Sequence, residues 1–559
     1  MNRLKRKPYI LGAAAAALVL ALAAWQFAQP SRAESPRLER FLPADAVGFV
    51  EVNDLRAQAL RVIESEAWRE FSRENQAASS LFMMTANHAG VLDASYALAL
   101  VGAGAGGPQF VAVAEFSDGG ARRTFESRVL RLAREGGGGE VTTTTEKHGD
   151  ATINTVAPAG RKGFAYAQAG NLLFLSNAAD AVRRALDVRE GKSPSLETNP
   201  TFAQARARAQ YTDGMFGYLD GAALARLVET AAAGAPQQGP GLAAFRQLFH
   251  GAGADGVQSV AFTSGFADGR VVERFVVVAP ERRGVLGTVA SNPPTPQALL
   301  ALVPEDAASA FDASIANAPQ TFEEMLALAN QAAAQSGKKG LGDALAEFTE
   351  KTGVSLRDDI LRSLGAEICF AQVGAGRERA GVLILAVRDE QAFAAALEKF
   401  AAHRKRVVAQ REHRGVTVRS LTDEKGRTTE YAFVGGNFVM SDDAGGVERV
   451  IETAQGGPSL RAGAAYREAS AGLAGQPQFV YFNTNEDYLN RLGRMLRSGE
   501  QEFKTDGQRA ALRPSFAFGI SQPDGFYVES RTPLGTFPRL LTAVTSKLGG
   551  EGEKKEGSE

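Results

Sequence analysis

The chain repeats itself. Val101-Gly102-Ala103-Gly104 recurs as Val373-Gly374-Ala375-Gly376, and Tyr166 to Ser176 (YAQAGNLLFLS) recurs as Tyr431 to Ser441 (YAFVGGNFVMS). A duplication with a period of about 260 residues means that one fold must suit both copies. It also sorts motifs, because a structural device appears twice whereas a site can belong to one copy or lie between the two. At 559 residues the chain is too long for one hydrophobic core.

The local patterns recur in the same order. Each copy opens on a Pro-Ala/Glu-Asp turn, Leu42-Pro43-Ala44-Asp45 and Val303-Pro304-Glu305-Asp306, followed by an extended run and then helical spacing over 55–75 and 322–350. Apolar runs 96–101 and 110–116 flank a Gly-rich turn and read as an antiparallel hairpin, matched by 368–373 and 382–387. Helices are expected at 120–134 and 390–404. A polar strand carries His148-Gly149-Asp150-Ala151 in one copy and His413-Arg414-Gly415-Val416 in the other. Each copy closes on a hairpin at an Asp-Gly pair, 257–278 and 515–531. These patterns predict an α+β fold of two tandem homologous domains, 34–292 and 293–547, each a curved, mainly antiparallel sheet packed with helices. Residues 291–296 serve as the linker, and 548–559 form a charged, disordered tail.

Compartment is read from the N-terminus. Arg3, Lys5, Arg6 and Lys7 precede an apolar Ala/Leu-rich run, and Ser31-Arg32-Ala33 offers a cleavage site. Residues 1–33 are therefore expected to be a signal peptide or an N-terminal membrane anchor held through 9–28, with everything beyond exported to the periplasm or cell surface. Five of the 62 Lys+Arg lie in that segment and no Asp or Glu does, so the remainder carries a net charge of −6. An acidic body argues against nucleic acid as a partner. The single cysteine, Cys369, excludes a disulfide framework and a Cys-based metal site.

The literal motifs lose to their structural readings. Gly102-x-Gly104-x-x-Gly107 fits a dinucleotide fingerprint, but an apolar strand follows where a helix is needed, and copy two has Arg379 in place of the third glycine. Ser336-x-x-Lys339 and Lys351-Thr352-Gly353 resemble elements of penicillin-recognising enzymes but stand too close together. His88, His148, His250, His403 and His413 form no helical pair. His148 and His413 hold equivalent places, which favours a structural role. Phe216, Tyr218, Phe479 and Tyr481 are taken as equivalent aromatics on terminal strands. Core packing is their simpler role, and lining an apolar ligand site between sheet and helices is the functional alternative.

Phe41 to Leu55 (FLPADAVGFVEVNDL), Thr352 to Asp358 (TGVSLRD) and the two hairpin blocks resemble a bacterial family of domains of unknown function, family 3352. The resemblance implies an exported, often membrane-anchored protein and supplies no catalytic residues. Copy one departs from it at Ala89-Gly90-Val91-Leu92-Asp93. The expectation is a protein with no catalytic residues, cofactor or metal, acting as a binding or scaffolding protein of the cell envelope. Its partner would be an envelope protein or a hydrophobic ligand. A carrier of lipid or another hydrophobic molecule, and a hydrolase with a site between the repeats, are the alternatives.

Overall fold

A computed structural model describes residues 37–535, apart from 75–93, 105–106, 128–140, 159–162, 211–212, 234–239, 336–338, 375–378, 404–406, 423–425, 444, 474, 487 and 489–511. The expected signal or anchor segment, the charged tail, His88 and Ser336 lie outside the described residues. Among the described residues no helix is long and apolar enough to cross a membrane.

Among the described residues strands and helices mix in an α+β arrangement around one large open antiparallel sheet of twenty strands. The first ten are β1 (Gly48–Val52), β2 (Ala94–Gly104), β3 (Gly107–Phe116), β4 (Val141–His148), β5 (Ala151–Pro158), β6 (Phe164–Ala169), β7 (Leu172–Ser176), β8 (Met215–Asp220), β9 (Ser259–Ala267) and β10 (Arg270–Val278). The second ten are β11 (Ser309–Ser314), β12 (Leu364–Val373), β13 (Ala380–Val387), β14 (Val407–His413), β15 (Val416–Thr422), β16 (Thr428–Val434), β17 (Asn437–Ser441), β18 (Phe479–Asn483), β19 (Ser515–Gln522) and β20 (Gly525–Thr532).

The first ten strands lie in the order β4-β5-β6-β7-β3-β2-β1-β8-β9-β10. The second ten repeat that order with each strand number raised by ten. The two series meet where β10 pairs with β20, so the strand order reads alike outward from that seam in both directions. At its centre Arg274 lies opposite Glu529, and the hairpin registers make these two residues repeat equivalents. They are 255 positions apart in sequence. The expected pair of sheets, one per repeat, is replaced by a shared one.

Two local expectations are corrected. The run at His148 is a turn between two strands: β4 ends at His148, Gly149-Asp150 turns, and β5 begins at Ala151. The same holds at Arg414-Gly415, where both residues have positive φ, the signature of a tight two-residue hairpin. The predicted helices at 55–75 and 322–350 each break into two, Leu55–Ile63 with Glu66–Glu74 and Ala318–Gln335 with Leu341–Thr352. The Gly-rich stretch at Gly102 to Gly107 joins β2 to β3, as the strand that follows it requires.

On one face of the sheet each half buries its own core. In the first, Phe202 of the helix Pro200–Arg208 packs edge-on against Phe49, Phe216 and Tyr218. In the second, Tyr466 of the helix Ala464–Ala469 takes that place against Phe482 and Phe516. Phe216 lies opposite Glu51, and Val480 lies opposite Asp312, the residue at the same place in β11. The true equivalents of Phe216 and Tyr218 are therefore Val480 and Phe482. Phe479 and Tyr481 stand one residue out of register, and a slip of one turns a side chain to the opposite face.

This register predicts unequal truncations. Phe482→Ala should destabilise the protein by about 3–5 kcal/mol, whereas Phe479→Ala, on the half-exposed face, should cost about 1 kcal/mol or less. Denaturant unfolding of the two variants measures the difference, and equal losses would contradict the assignment.

Candidate functional site

The face opposite the two repeat cores carries two further clusters. One, around Trp68, Phe71, Tyr96 and Phe116, covers the first half; the other, around Phe393, Tyr431 and Phe438, covers the outer part of the second. Between them lies a strip where apolar side chains stay open. Tyr481, Phe311 and Phe370 are direct cross-strand neighbours on β18, β11 and β12. The adjacent row runs Phe479, Gly519, Val528, Phe275 and Phe262 across β18, β19, β20, β10 and β9. Phe370 is 49% exposed, Phe275 39% and Phe311 36%. For rings in a sheet that has buried cores elsewhere, that is a large open surface.

Two devices shape the strip. Phe479 packs on Phe311 at 5.9 Å and on Phe526 at 6.3 Å between ring centroids, and the rings in each pair are inclined by 36° and 32°. Gly519 makes this possible, since a Cβ there would enter the Phe479 ring and come within 2.8 Å of Phe526. At one end Ser521, opposite Phe526, donates to the carbonyl of Ala290 at 2.7 Å. That bond ties the helix Gly284–Ala290, with its exposed Leu286 and Val289, to the edge of the same surface.

Of the four expected ligand-lining residues, the structure therefore joins only two. Phe479 and Tyr481 lie on the strip. Phe216 and Tyr218 are sealed in the first core, where Tyr218 donates its hydroxyl to Asp220 at 3.3 Å. They line no open surface.

The sequence reading also missed the buried acids. Glu51 in β1 is fully buried beside Glu39, and Arg206 reaches both, with Nη2 2.8 Å from Glu51 and Nη1 3.1 Å from Glu39. Burial pushes Glu51 up to about 8 against the pull of Arg206. In the second half Asp312 occupies the place of Glu51, but Leu300 stands for Glu39 and Ser470 for Arg206. There Asp312 faces Glu367 instead, accepts a hydrogen bond from Thr295 at 3.3 Å, and lies opposite the buried Cys369. Burial first and the Glu367 carboxylate next push Asp312 up to about 9. The signal for both was legible in principle, since each is a lone acid at an inward-facing position of an apolar strand.

The equivalent histidines act as clasps. His148 Nε2 meets Asp187 at 2.8 Å, and His413 lies 3.5 Å from Glu452 and 3.7 Å from Glu448, in each case joining a hairpin turn to the following helix. His250 sits between Glu229 at 2.8 Å and Asp255 at 3.1 Å, and those two carboxylates raise its pKa. Lys339 and Lys351 both pair with Glu347, at 2.8 and 2.6 Å, which accounts for them without a nucleophile. Among the described residues no three His, Cys, Asp or Glu side chains gather as metal ligands.

The proton on Asp312 gives a pH prediction. The folded state keeps it from the ordinary aspartate value of 3.8 up to about 9, an interval in which the unfolded chain has lost it, so stability falls as pH rises across that interval. Asp312→Asn should match the parent near pH 4 and exceed its stability at pH 8, by on the order of 1–3 kcal/mol. Urea unfolding over a pH series tests this, and parallel curves for the two proteins would refute the raised pKa of Asp312.

No curated protein matches the chain. Among solved structures it is similar to crystal forms III and IV of TP0453, each 10% identical, over 44% of this chain and 81% of that chain. The TM-scores are 0.23 and 0.22, a likeness too slight to imply a shared fold. The family match runs from the end of β10 to the approach to β19 and takes in the outer strands of the second half, including Tyr481, Phe311 and Phe370 of the strip. Over residues 276–514 the chain matches the model of the family described as Protein of unknown function (DUF3352).

Proposed function

We propose that this is an exported, non-enzymatic binding protein of the bacterial cell envelope, tethered through residues 9–28, whose working surface is the aromatic strip. The observation that carries the reading is the contrast between the two sheet faces. Both repeat cores are closed, and the large rings left open gather on one strip. A soluble protein has no folding reason to leave Phe275, Phe311 and Phe370 open together, so their exposure is best explained by a partner. The matched strand orders support reading 34–292 and 293–547 as two tandem repeat domains, fused along the seam. The basic flank and apolar run at the N-terminus support export.

A carrier of lipid or another hydrophobic molecule is the second reading. It is favoured by the continuation of the strip towards Leu286 and Val289, which would suit a long apolar chain.

The combined variant Phe275→Ser/Phe311→Ser/Phe370→Ser should keep its melting temperature within a few degrees and lose most of its binding of an apolar fluorescent probe. Equal probe binding by parent and variant would remove the strip as the binding surface. Mass spectrometry of the purified parent separates the two readings: stoichiometric lipid favours the carrier, and its absence favours a protein partner. External protease added to spheroplasts should cleave a C-terminal tag, and protection of that tag would refute export.

A further inference from the structure

The two sides of the seam are not alike. On one, Arg208 at the end of the helix Pro200–Arg208 holds Asp524 in the β19–β20 turn through two hydrogen bonds, of 2.8 and 2.5 Å. Across the axis the strand registers place Gly472 where Arg208 would be and Gly269 where Asp524 would be. Both members of the ion pair have become glycine, and both glycines are exposed and in the left-handed region. The space they leave is lined by arginines. A Cβ on Gly269 would sit 3.4 Å from Arg513 Nη2, and one on Gly472 would sit 3.7 Å from Arg531 Nη2. Arg270 opens β10 beside them. The positions equivalent to these three arginines on the sealed side are Gly525, Gln258 and Val276, so the cationic lining belongs to this side alone.

Each of the three guanidiniums donates to a backbone carbonyl. Arg270 donates to Pro514 at 3.2 Å, Arg513 donates to the carbonyl of Asp268, and Arg531 donates to that of Ala471 at 2.7 Å. Compensating carboxylates are few. Glu529 serves Arg531 at 2.8 Å and Arg274 at 3.1 Å, Glu66 reaches Arg513 only at 4.0 Å, and Arg270 has no carboxylate partner among the described residues. The Arg270 Nε is buried with no acceptor. Burial, followed by the charges of Arg513 and Arg531, pulls Arg270 below the ordinary arginine range, and these outweigh Glu468 and Asp268. Like charges are thus held together at a solvent-open notch, and among the described residues no carboxylate pairs with Arg270.

We propose that the notch formed by Arg270, Arg513 and Arg531 around Gly269 and Gly472 binds a phosphate group. A phosphate suits the place better than a single carboxylate, because its charge and several oxygens match forked donors arriving from more than one side. The bound oxyanion takes the role that the Asp524 carboxylate plays across the seam. The phosphate can come from a free phosphate ester or from a lipid headgroup.

Calorimetric titration of the full-length protein in neutral detergent, with inorganic phosphate, glycerol 3-phosphate, short-chain phosphatidic acid and short-chain phosphatidylcholine, tests the site. Saturable binding of phosphate or phosphatidic acid is expected. Arg270→Gln and Arg513→Gln should each weaken it by roughly tenfold. Gly472→Asp, which supplies an internal carboxylate, should weaken binding similarly and raise the melting temperature in phosphate-free buffer. Arg208→Gln, on the sealed side, should leave affinity unchanged. Phosphatidic acid binding far more tightly than the two soluble phosphates identifies a lipid headgroup, and equal affinities identify a free phosphate. Absence of saturable binding by all the phosphates, or affinities unaltered by the arginine and Gly472 variants, overturns the proposal. The phenylalanine-to-serine variant should bind phosphate normally, which keeps this test separate from that of the strip.

Discussion

The pairing of β10 with β20 organises the molecule. It joins eight residues of one repeat to eight of the other, from Val271 opposite Thr532 to Val278 opposite Gly525, and makes two half-sheets continuous. Without it each half would present a long edge to solvent, Val-rich in the first, the situation that sheets avoid by covering or charging their edges. Arg274 and Glu529 fix the register at the centre. Tyr527 packs against both repeat cores and donates its hydroxyl to Glu529 at 2.7 Å, so the seam is apolar and ionic together.

A near-symmetric frame makes its departures from symmetry informative. Arg206 gives way to Ser470, Glu39 to Leu300, and Arg208 with Asp524 to two glycines. The first pair of changes removes the guanidinium beside the buried acid, so that in the second half Asp312 meets Glu367 and Thr295 instead. The last opens a cationic notch at the seam. The aromatic strip is asymmetric too, because β18 offers Phe479 and Tyr481 where β8 has Met215 and Gly217. Each departure lies where the copies differ or meet, and the turns, histidine clasps and inward aromatics are the common frame.

Much of the frame was legible in the sequence because its signals are local. Asp-Gly and Gly-rich turns between apolar runs mark hairpins without knowledge of their partners, and the β2–β3, β9–β10 and β19–β20 hairpins follow that rule. Pairing Phe216 with Phe479 fails for a physical reason. Aromatics alternate on both faces of β18, so Phe-x-Tyr matches in either of two registers, and only cross-strand partners decide between them. Thr142 to Thr145 in β4 lack the apolar alternation that marks a half-buried strand, which hid the β4–β5 hairpin. The arginine notch could not be read at all, since its members come from three places in the chain and are joined only by the seam.

The seam also sets an order of events. Strand β10 is complete by Val278, but its partner begins at Gly525 and is the last of the described strands to be made. Throughout the synthesis of the second repeat the sequence Val-Val-Glu-Arg-Phe-Val-Val-Val is therefore an unpaired edge, open to the wrong strand of the same chain or of a neighbour. Closure must also bring together segments far apart in sequence, which makes it slow relative to the hairpins on either side. The position that unites the finished fold is thus its most exposed one while the chain is incomplete, and Glu273 and Arg274 in the middle of that edge are the charges that discourage premature pairing.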